Sequence, residues 1–358
     1  MSAYPLQPIV IWFGRVGDMI LLSVLLEILH RRYGSRCHLI GAGSWPAELY
    51  ATHGDVARVT CLRRYTAFLF DDAWWRALAT LRGSRSDPVY VCEYDPRKLR
   101  RIGRLLRASG TDPARCLFIT STPCLQQAPH WIDRLVCFGR LTPPAFEAAR
   151  FPWPAPPPLC APHLEVGAAA RADCAAWIEA QGLSGRPLVL VQPGNRRTMR
   201  GKGLRISSED DKAWPIERWA ALLRQVHQQL PQAAIVLCGA PRESLLLSWI
   251  AAAVQLPVVV RAELPLPRLL ALCERAHSMI SVDTGPAHAA AALSLPLVVM
   301  FGAHSQREWL PRSPSGSAVV GVGGPPQSSR LDQITAQTVF DAWRGLEVRP
   351  TTVHATAW

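Results

Sequence analysis

Ser281-Val282-Asp283-Thr284-Gly285-Pro286-Ala287-His288 joins a short apolar run, residues 279–282, to an alanine-rich one, residues 289–293. The apolar run predicts a buried parallel strand, Gly285 permits a tight turn, and Pro286 suits the first helical position, where no N–H partner is needed. Asp283, Thr284 and Gly285 therefore stand where a strand hands over to a helix. The unpaired N–H groups and positive dipole end of that helix favour an anion above the strand, phosphate in particular. A simple helix cap accounts for Asp283 or Thr284 in an isolated strand–turn–helix just as well. The surrounding chain has to decide between the two.

Outward from this stretch the same unit recurs. Upstream lie apolar runs at 188–191, 235–237 and 258–260, and downstream one at 297–301. They are followed by Gln192-Pro193-Gly194-Asn195, by Gly239-Ala240-Pro241-Arg242-Glu243 and, after the last, by Gly302-Ala303-His304. Helices are predicted over 169–181, 216–230, 267–275 and 335–344; in the second, Ile216, Trp219, Leu222, Leu223, Val226 and Leu230 mark one apolar face. Residues 196–208, rich in Arg and Gly and without an apolar period, read as a loop running into Asp210-Asp211-Lys212-Ala213-Trp214-Pro215.

The first half alternates in the same way. A strand over 9–13 leads through Gly14-Arg15-Val16-Gly17-Asp18 into a helix over 19–32, and further strands are predicted at 37–40, 56–59, 89–92 and 116–119. Helices near 72–81 and over the basic stretch Arg97, Lys98, Arg100, Arg101, Arg104, Arg107 lie between them. The glycines after the first strand do not make G-x-G-x-x-G, and no acidic residue ends the second strand, so a dinucleotide cofactor is a poor fit. Six prolines within residues 151–162 cannot lie in a helix or a central strand and mark the domain boundary. The pattern is that of two doubly wound α/β domains, whose ligands bind at the carboxyl ends of the strands.

Composition bounds the reading. The chain has 358 residues, 49% of them apolar and 18% charged, which is ample for two ordered cores. The net charge of +12 is carried by arginine, since lysine occurs only at positions 98, 202 and 212. An anionic substrate or an acidic membrane surface fits that excess as well as nucleic acid does. The basic helix reads as a solvated face or as a contact for anionic headgroups, worth on the order of 1 kcal/mol per basic residue. Ten scattered cysteines with no C-x-x-C pair read as reduced and buried, with neither a disulfide framework nor a zinc site. The N-terminus shows no secretory leader, and no apolar stretch is long enough to span a bilayer. The expected location is the cytoplasm, with peripheral contact at the inner membrane.

Five motifs taken in order resemble one family. Gly14-x-x-Gly17-Asp18, Lys212-x-Trp214-Pro215, Gly239-Ala240-Pro241-x-Glu243, Asp283-Thr284-Gly285-x-x-His288 and Phe301-Gly302 are similar to the heptosyltransferases of glycosyltransferase family 9. The resemblance covers most of the chain, with little contribution from residues 60–165. It implies a GT-B fold, two Rossmann-like domains facing a central cleft: residues 1–165 on the acceptor side and 166–331 binding the nucleotide sugar. A C-terminal helix over 332–345 would pack back toward the first domain, and 346–358 would form a tail.

The implied activity is an inverting transfer of heptose from an ADP-activated donor to an anionic, lipid-linked acceptor of the lipopolysaccharide inner core. By the same resemblance Asp18 is the catalytic base, with Gly14, Arg15 and Gly17 forming the acceptor-side loop. A base is what inversion requires, because the acceptor hydroxyl must lose its proton as it attacks the anomeric carbon. An N-cap role would account for Asp18 too. Lys212 corresponds to the phosphate-binding lysine, Glu243 to the carboxylate on the donor ribose, and Asp283, Thr284, Gly285 and His288 to groups around the donor diphosphate and sugar. No Asp-x-Asp element is placed at a strand end, so neither a metal nor a cofactor is expected, and no nucleic-acid partner. The sequence departs from the family at Arg15, at the 196–208 segment and at Ala303-His304, and these departures leave the particular sugar and acceptor open. A different nucleotide sugar, or a non-catalytic basic nucleotide- or nucleic-acid-binding protein on the same scaffold, are the alternatives.

Overall fold

The structure, a computed structural model, describes residues 6–63, 71–153, 160–195, 198–200, 203–204 and 213–347. The chain divides into two compact units, Met1–Glu165 and Val166–Trp358. The first unit contains β1 (Ile9–Ile11), β2 (Cys37–Ala42), β3 (Val56–Leu62), β4 (Val89–Val91) and β5 (Cys116–Phe118). These form one sheet in the order β3-β2-β1-β4-β5, every pairing parallel. The second contains β6 (Leu188–Gln192), a two-residue hairpin of β7 (Met199–Arg200) and β8 (Gly203–Leu204), β9 (Ala234–Cys238), β10 (Val259–Arg261), β11 (Ser278–Val282), β12 (Leu297–Phe301) and β13 (Val319–Gly323). Apart from the hairpin they build a six-stranded parallel sheet, β10-β9-β6-β11-β12-β13.

Helices on both faces explain why the strands read as unbroken apolar runs rather than as alternating ones. In the first unit Ile9, Ile11 and Val91 pack with Trp74, Leu78, Ile102 and Leu105 of flanking helices. In the second, Val189, Ile280 and Val298 pack with Trp219, Leu223 and Ile250. Both sheets reverse strand order once, between β1 and β4 and between β6 and β11, and each reversal opens a crevice at the carboxyl edge.

Several expectations are corrected. The single helix over 19–32 is two, Val16–Leu21 and Ser23–Tyr33, and at the junction the Ser23 hydroxyl donates to the Ile20 carbonyl at 2.9 Å. Such back-bonding competes with the helical ladder. The C-terminal helix, Ala336–Arg344, buries Val339, Phe340 and Trp343 in the core of the second unit, and the Trp343 indole donates to Ser278 Oγ at 2.9 Å. Its apolar stripe is met by the adjoining sheet of its own unit. Cysteine was expected to be reduced throughout, yet Cys124 and Cys137 form a disulfide, their Cα atoms 5.6 Å apart where helix Cys124–Gln127 turns back on helix Trp131–Arg140. The free cysteines 37, 92, 116, 174, 238 and 273 are buried, as expected. Strand β13 and the helices Trp45–Tyr50 and Trp131–Arg140 were not foreseen. Among the described residues no helix is long and apolar enough to cross a membrane.

Candidate functional site

At the carboxyl edge of the second sheet the quoted stretch folds as its residues dictate. β11 ends at Val282, Thr284 is the extended N-cap residue, and the helix Gly285–Ala292 begins at once, with Pro286 in its first turn. The Asp283 N–H donates to the Met300 carbonyl at 3.0 Å, which fixes the turn against β12. Thr284 makes no cap bond, and its buried Oγ1 has no hydrogen-bond partner among the described residues. A buried polar atom left so costs on the order of 1–3 kcal/mol, which only an incoming partner would recover. His288 sits one turn into the helix and is 5% exposed.

Glu243 lies at the exit of β9, two strands from β11 in the sheet. It is 3% exposed, and Oε2 accepts from the Ala240 N–H at 2.7 Å. Burial raises its carboxyl pKa, a shift opposed by that N–H, by Arg242 and by the Gln192 side chain. Gly194, on the strand exit between β9 and β11, packs closely on Glu243: a Cβ there would lie 3.1 Å from its Cδ. Glu243 thus stands at the exit of β9 and Asp283, Thr284, Gly285 and His288 at that of β11, with the β6 exit and Gly194 between them. Lys212 lies outside the described residues, as does most of the 196–208 segment. Trp214, two residues on, is anchored by its indole N–H to the Ile334 carbonyl at 3.0 Å and edge-on to Trp219, ring centroids 4.7 Å apart.

In the first unit, Gly14, Arg15, Gly17 and Asp18 lie at the exit of β1, beside the switch point. Asp18 is the third residue of helix Val16–Leu21, half-buried, and its Oδ2 accepts from the Arg15 N–H at 2.7 Å. The N-cap residue is Arg15 rather than Asp18, whose carboxylate, three residues on, takes the N-cap N–H. Gly14 makes room for it, since a Cβ at 14 would stand 2.6 Å from Asp18 Cβ. The Trp45 indole holds the Gly14 carbonyl at 3.3 Å.

Sequence reasoning missed what positions this loop. Glu93, at the exit of β4 and fully buried, accepts from the Phe13 N–H at 3.2 Å through Oε2, and from the Tyr94 and Asp95 N–H groups at 3.1 and 3.0 Å through Oε1. One carboxylate thereby ties the β1 and β4 exits together across the crevice. Burial raises its pKa, and Lys98, 3.5 Å from Oε2, opposes the rise. Tyr94 follows, 40% exposed, its ring centroid 4.9 Å from that of Trp131. Burial first, then the negative charges of Asp18 and Glu93, push the Tyr94 phenol well up, with Arg15 opposing. An acidic residue directly after an apolar strand was the available signal for Glu93. Of the basic helix, now Pro96–Ser109, Lys98 and Arg101 are engaged with Glu93 and Asp71, whereas Arg97, Arg100, Arg104 and Arg107 are exposed.

Comparison with known proteins bears on these edges. Residues 164–335 match the family model described as glycosyltransferase family 9 (heptosyltransferase). Lipopolysaccharide heptosyltransferase 3 of Escherichia coli is 30% identical over 133 residues, which are 36% of this chain and about a third (35%) of that protein. Among solved structures, a family 9 glycosyl transferase from Veillonella parvula superposes with a TM-score of 0.74 at 14% identity, covering 96% of this chain and 98% of its own. The E. coli ADP-heptose lps heptosyltransferase II gives 0.70 at 20% identity, covering 95% and 98%. The resemblance to glycosyltransferase family 9 is borne out over residues 164–335, which hold four of the five motifs, as is the GT-B fold class with two parallel-sheet α/β units.

Proposed function

We propose that this chain, which carries the glycosyltransferase family 9 signature through its second unit and that family's fold along its length, is an inverting heptosyltransferase. Its donor is ADP-heptose and its acceptor an anionic, lipid-linked saccharide of the lipopolysaccharide inner core. The observation that carries the reading is the helix start at Thr284: a buried hydroxyl with no partner among the described residues, beside helix N–H groups, at the switch point of a parallel sheet whose β9 exit, two strands along, carries buried Glu243. That combination suits the diphosphate and ribose of a nucleotide sugar. The names of the relatives, a lipopolysaccharide heptosyltransferase and an ADP-heptose heptosyltransferase, support the choice of sugar and acceptor.

In this reading Asp18 takes the proton of the acceptor hydroxyl as that oxygen attacks the anomeric carbon from the face opposite the leaving ADP. The bond from the Arg15 N–H holds one carboxylate oxygen and so fixes the position of the base. Charge building on the departing diphosphate meets Lys212, Thr284 and the N–H groups of helix Gly285–Ala292, without a metal. Glu243 receives the ribose, and Asp283 and His288 contact the diphosphate or the sugar. The exposed arginines of helix Pro96–Ser109 favour peripheral contact with the anionic cytoplasmic face of the inner membrane.

The test is calorimetric titration with ADP, UDP, GDP and ADP-heptose. ADP and ADP-heptose should bind selectively, and Lys212→Ala should weaken both about 10- to 100-fold, the worth of a hydrogen bond to a charged group. Preference for another base would shift the donor to a different nucleotide sugar. Absence of nucleotide binding would overturn the reading.

A further inference from the structure

Asp55 immediately precedes β3 and so lies at the amino edge of the first sheet, the opposite edge from Asp18. Three imidazoles ring it. His30 Nδ1 is 2.7 Å from Asp55 Oδ1, His163 Nε2 is 3.2 Å from Oδ2, and His53 Nδ1 is 3.7 Å from the same Oδ2. One ligand atom from each of His53, Asp55 and His163 lies within 4.8 Å of the other two. We propose that His53, Asp55 and His163 form a site for a divalent transition-metal ion, zinc being the cation their donors suit, and that it pins residues 163–165 to the first unit.

The geometry carries this in three ways. Ligands held at about 2.0–2.1 Å around a tetrahedral ion stand roughly 3.3 Å apart, close to the separations from Asp55 Oδ2. Two imidazoles with one carboxylate select zinc or a similar ion over magnesium or calcium, which prefer all-oxygen sets. Each ligand also has the outer partner that orients metal-bound side chains. Asp55 Oδ1 is held by His30; His163 Nδ1 faces Glu27 Oε2 at 3.8 Å; His53 Nε2 is 3.4 Å from the His163 carbonyl.

The last contact places the proton of His53 on Nε2 and the lone pair on Nδ1, which now accepts from the Asp55 N–H at 3.2 Å. That is the bond an ion displaces. Around the cluster the His163 N–H donates to Ser23 Oγ at 3.1 Å and the Gly54 N–H to Glu165 Oε1 at 3.1 Å. The end of the first unit's chain therefore already lies on the ligands, and an ion would lock it there. Ligands of parallel α/β sheets bind at the carboxyl edge, so an ion at the amino edge serves structure rather than the transfer.

The test uses full-length, untagged protein, stripped with a chelator and dialysed against micromolar Zn²⁺, with bound metal measured by mass spectrometry. Cobalt replacement supplies a visible spectrum that reports tetrahedral nitrogen and oxygen ligation. About one equivalent should be retained, with an upward shift of the thermal transition. His163→Ala, at a half-exposed position, and Asp55→Ala should each abolish retention, while His30→Ala should weaken it about 10- to 100-fold, as losses of outer-shell partners do. Should Asp55→Ala fail to fold, His163→Ala and the cobalt spectrum of the unaltered protein decide. Failure of the unaltered protein to retain zinc, or retention unchanged in folded His163→Ala, overturns the site.

Discussion

The two carboxyl edges differ in what holds them. At the edge of the first sheet the exits are cross-braced by side chains: Glu93 takes the Phe13, Tyr94 and Asp95 N–H groups, Asp18 takes that of Arg15, and Trp45 holds the Gly14 carbonyl. At the edge of the second, Glu243 takes the Ala240 N–H and the Gln192 amide holds the Gly194 carbonyl, but Thr284 leaves a buried hydroxyl without a partner among the described residues. The first edge fixes the position of one carboxylate; the second leaves polar groups ready for a ligand. Positioning a base demands rigidity, whereas binding a diphosphate demands donors that nothing in the protein has already claimed.

The comparison can be broken most sharply at Asp18, the proposed base. Asp18→Asn keeps an oxygen for the cap, so nucleotide affinity should change less than about twofold while transfer falls about 10²- to 10⁴-fold, the usual reach of general-base catalysis. Single-turnover kinetics beside an ADP titration separates the two effects, and near-normal transfer would remove Asp18 from the chemistry. Glu93→Ala comes next. It strands up to three N–H groups, one of them deeply buried, and should cost about 3 kcal/mol in denaturant unfolding. A loss below about 1 kcal/mol would mean that the cross-brace contributes little.

The second edge should answer in the opposite sense. Thr284→Val exchanges a partnerless hydroxyl for a methyl of similar size, so the free protein should gain about 1 kcal/mol while ADP binds several-fold more weakly. Lower stability together with unchanged ADP affinity would show that the hydroxyl is not kept for a ligand.

The smallest effect is electrostatic. Burial raises the Glu243 pKa above its ordinary 4.5. Its contribution to stability is therefore fully present below that value and is lost as pH rises through the folded-state pKa. Glu243→Gln does not titrate there, so relative to the unaltered protein it should compare worst near pH 4 and gain steadily above about pH 4.5. Thermal unfolding across pH 4–8 measures this, and parallel profiles would show that the carboxylate is not desolvated.

Much of this was legible in the chain because it depends on neighbours in sequence. Continuous apolar runs at 188–191 and 279–282 require a strand covered on both faces, and Gly285-Pro286 after the second requires a helix start. With the runs at 9–13 and 235–237, the same patterning places Asp18, Glu243 and Asp283 to His288 at strand exits from the sequence alone. Parallel pairing and the carboxyl side of each sheet as the ligand side follow from the same alternation; the strand order and its two reversals came from the structure.

What only the tertiary structure decided depends on residues far apart in the chain. Glu93 meets Phe13 across 80 residues, and His163 meets Asp55 across 108 and Ser23 across 140. No periodicity encodes such meetings; they arise when strands pair and helices cover them. The Cys124–Cys137 disulfide is close in sequence, but it requires two short helices to fold back on each other, and scattered cysteines carry no sign of that. The C-terminal helix shows the same division: its amphipathic stripe is a property of the sequence, whereas the core that buries Val339, Phe340 and Trp343 was fixed by the surface the rest of the second unit offers them. Local order follows from neighbouring residues, because backbone and side-chain preferences act over a few bonds. Partner choice among distant groups belongs to packing, where burial makes each unmet polar atom or empty volume costly enough to select one arrangement.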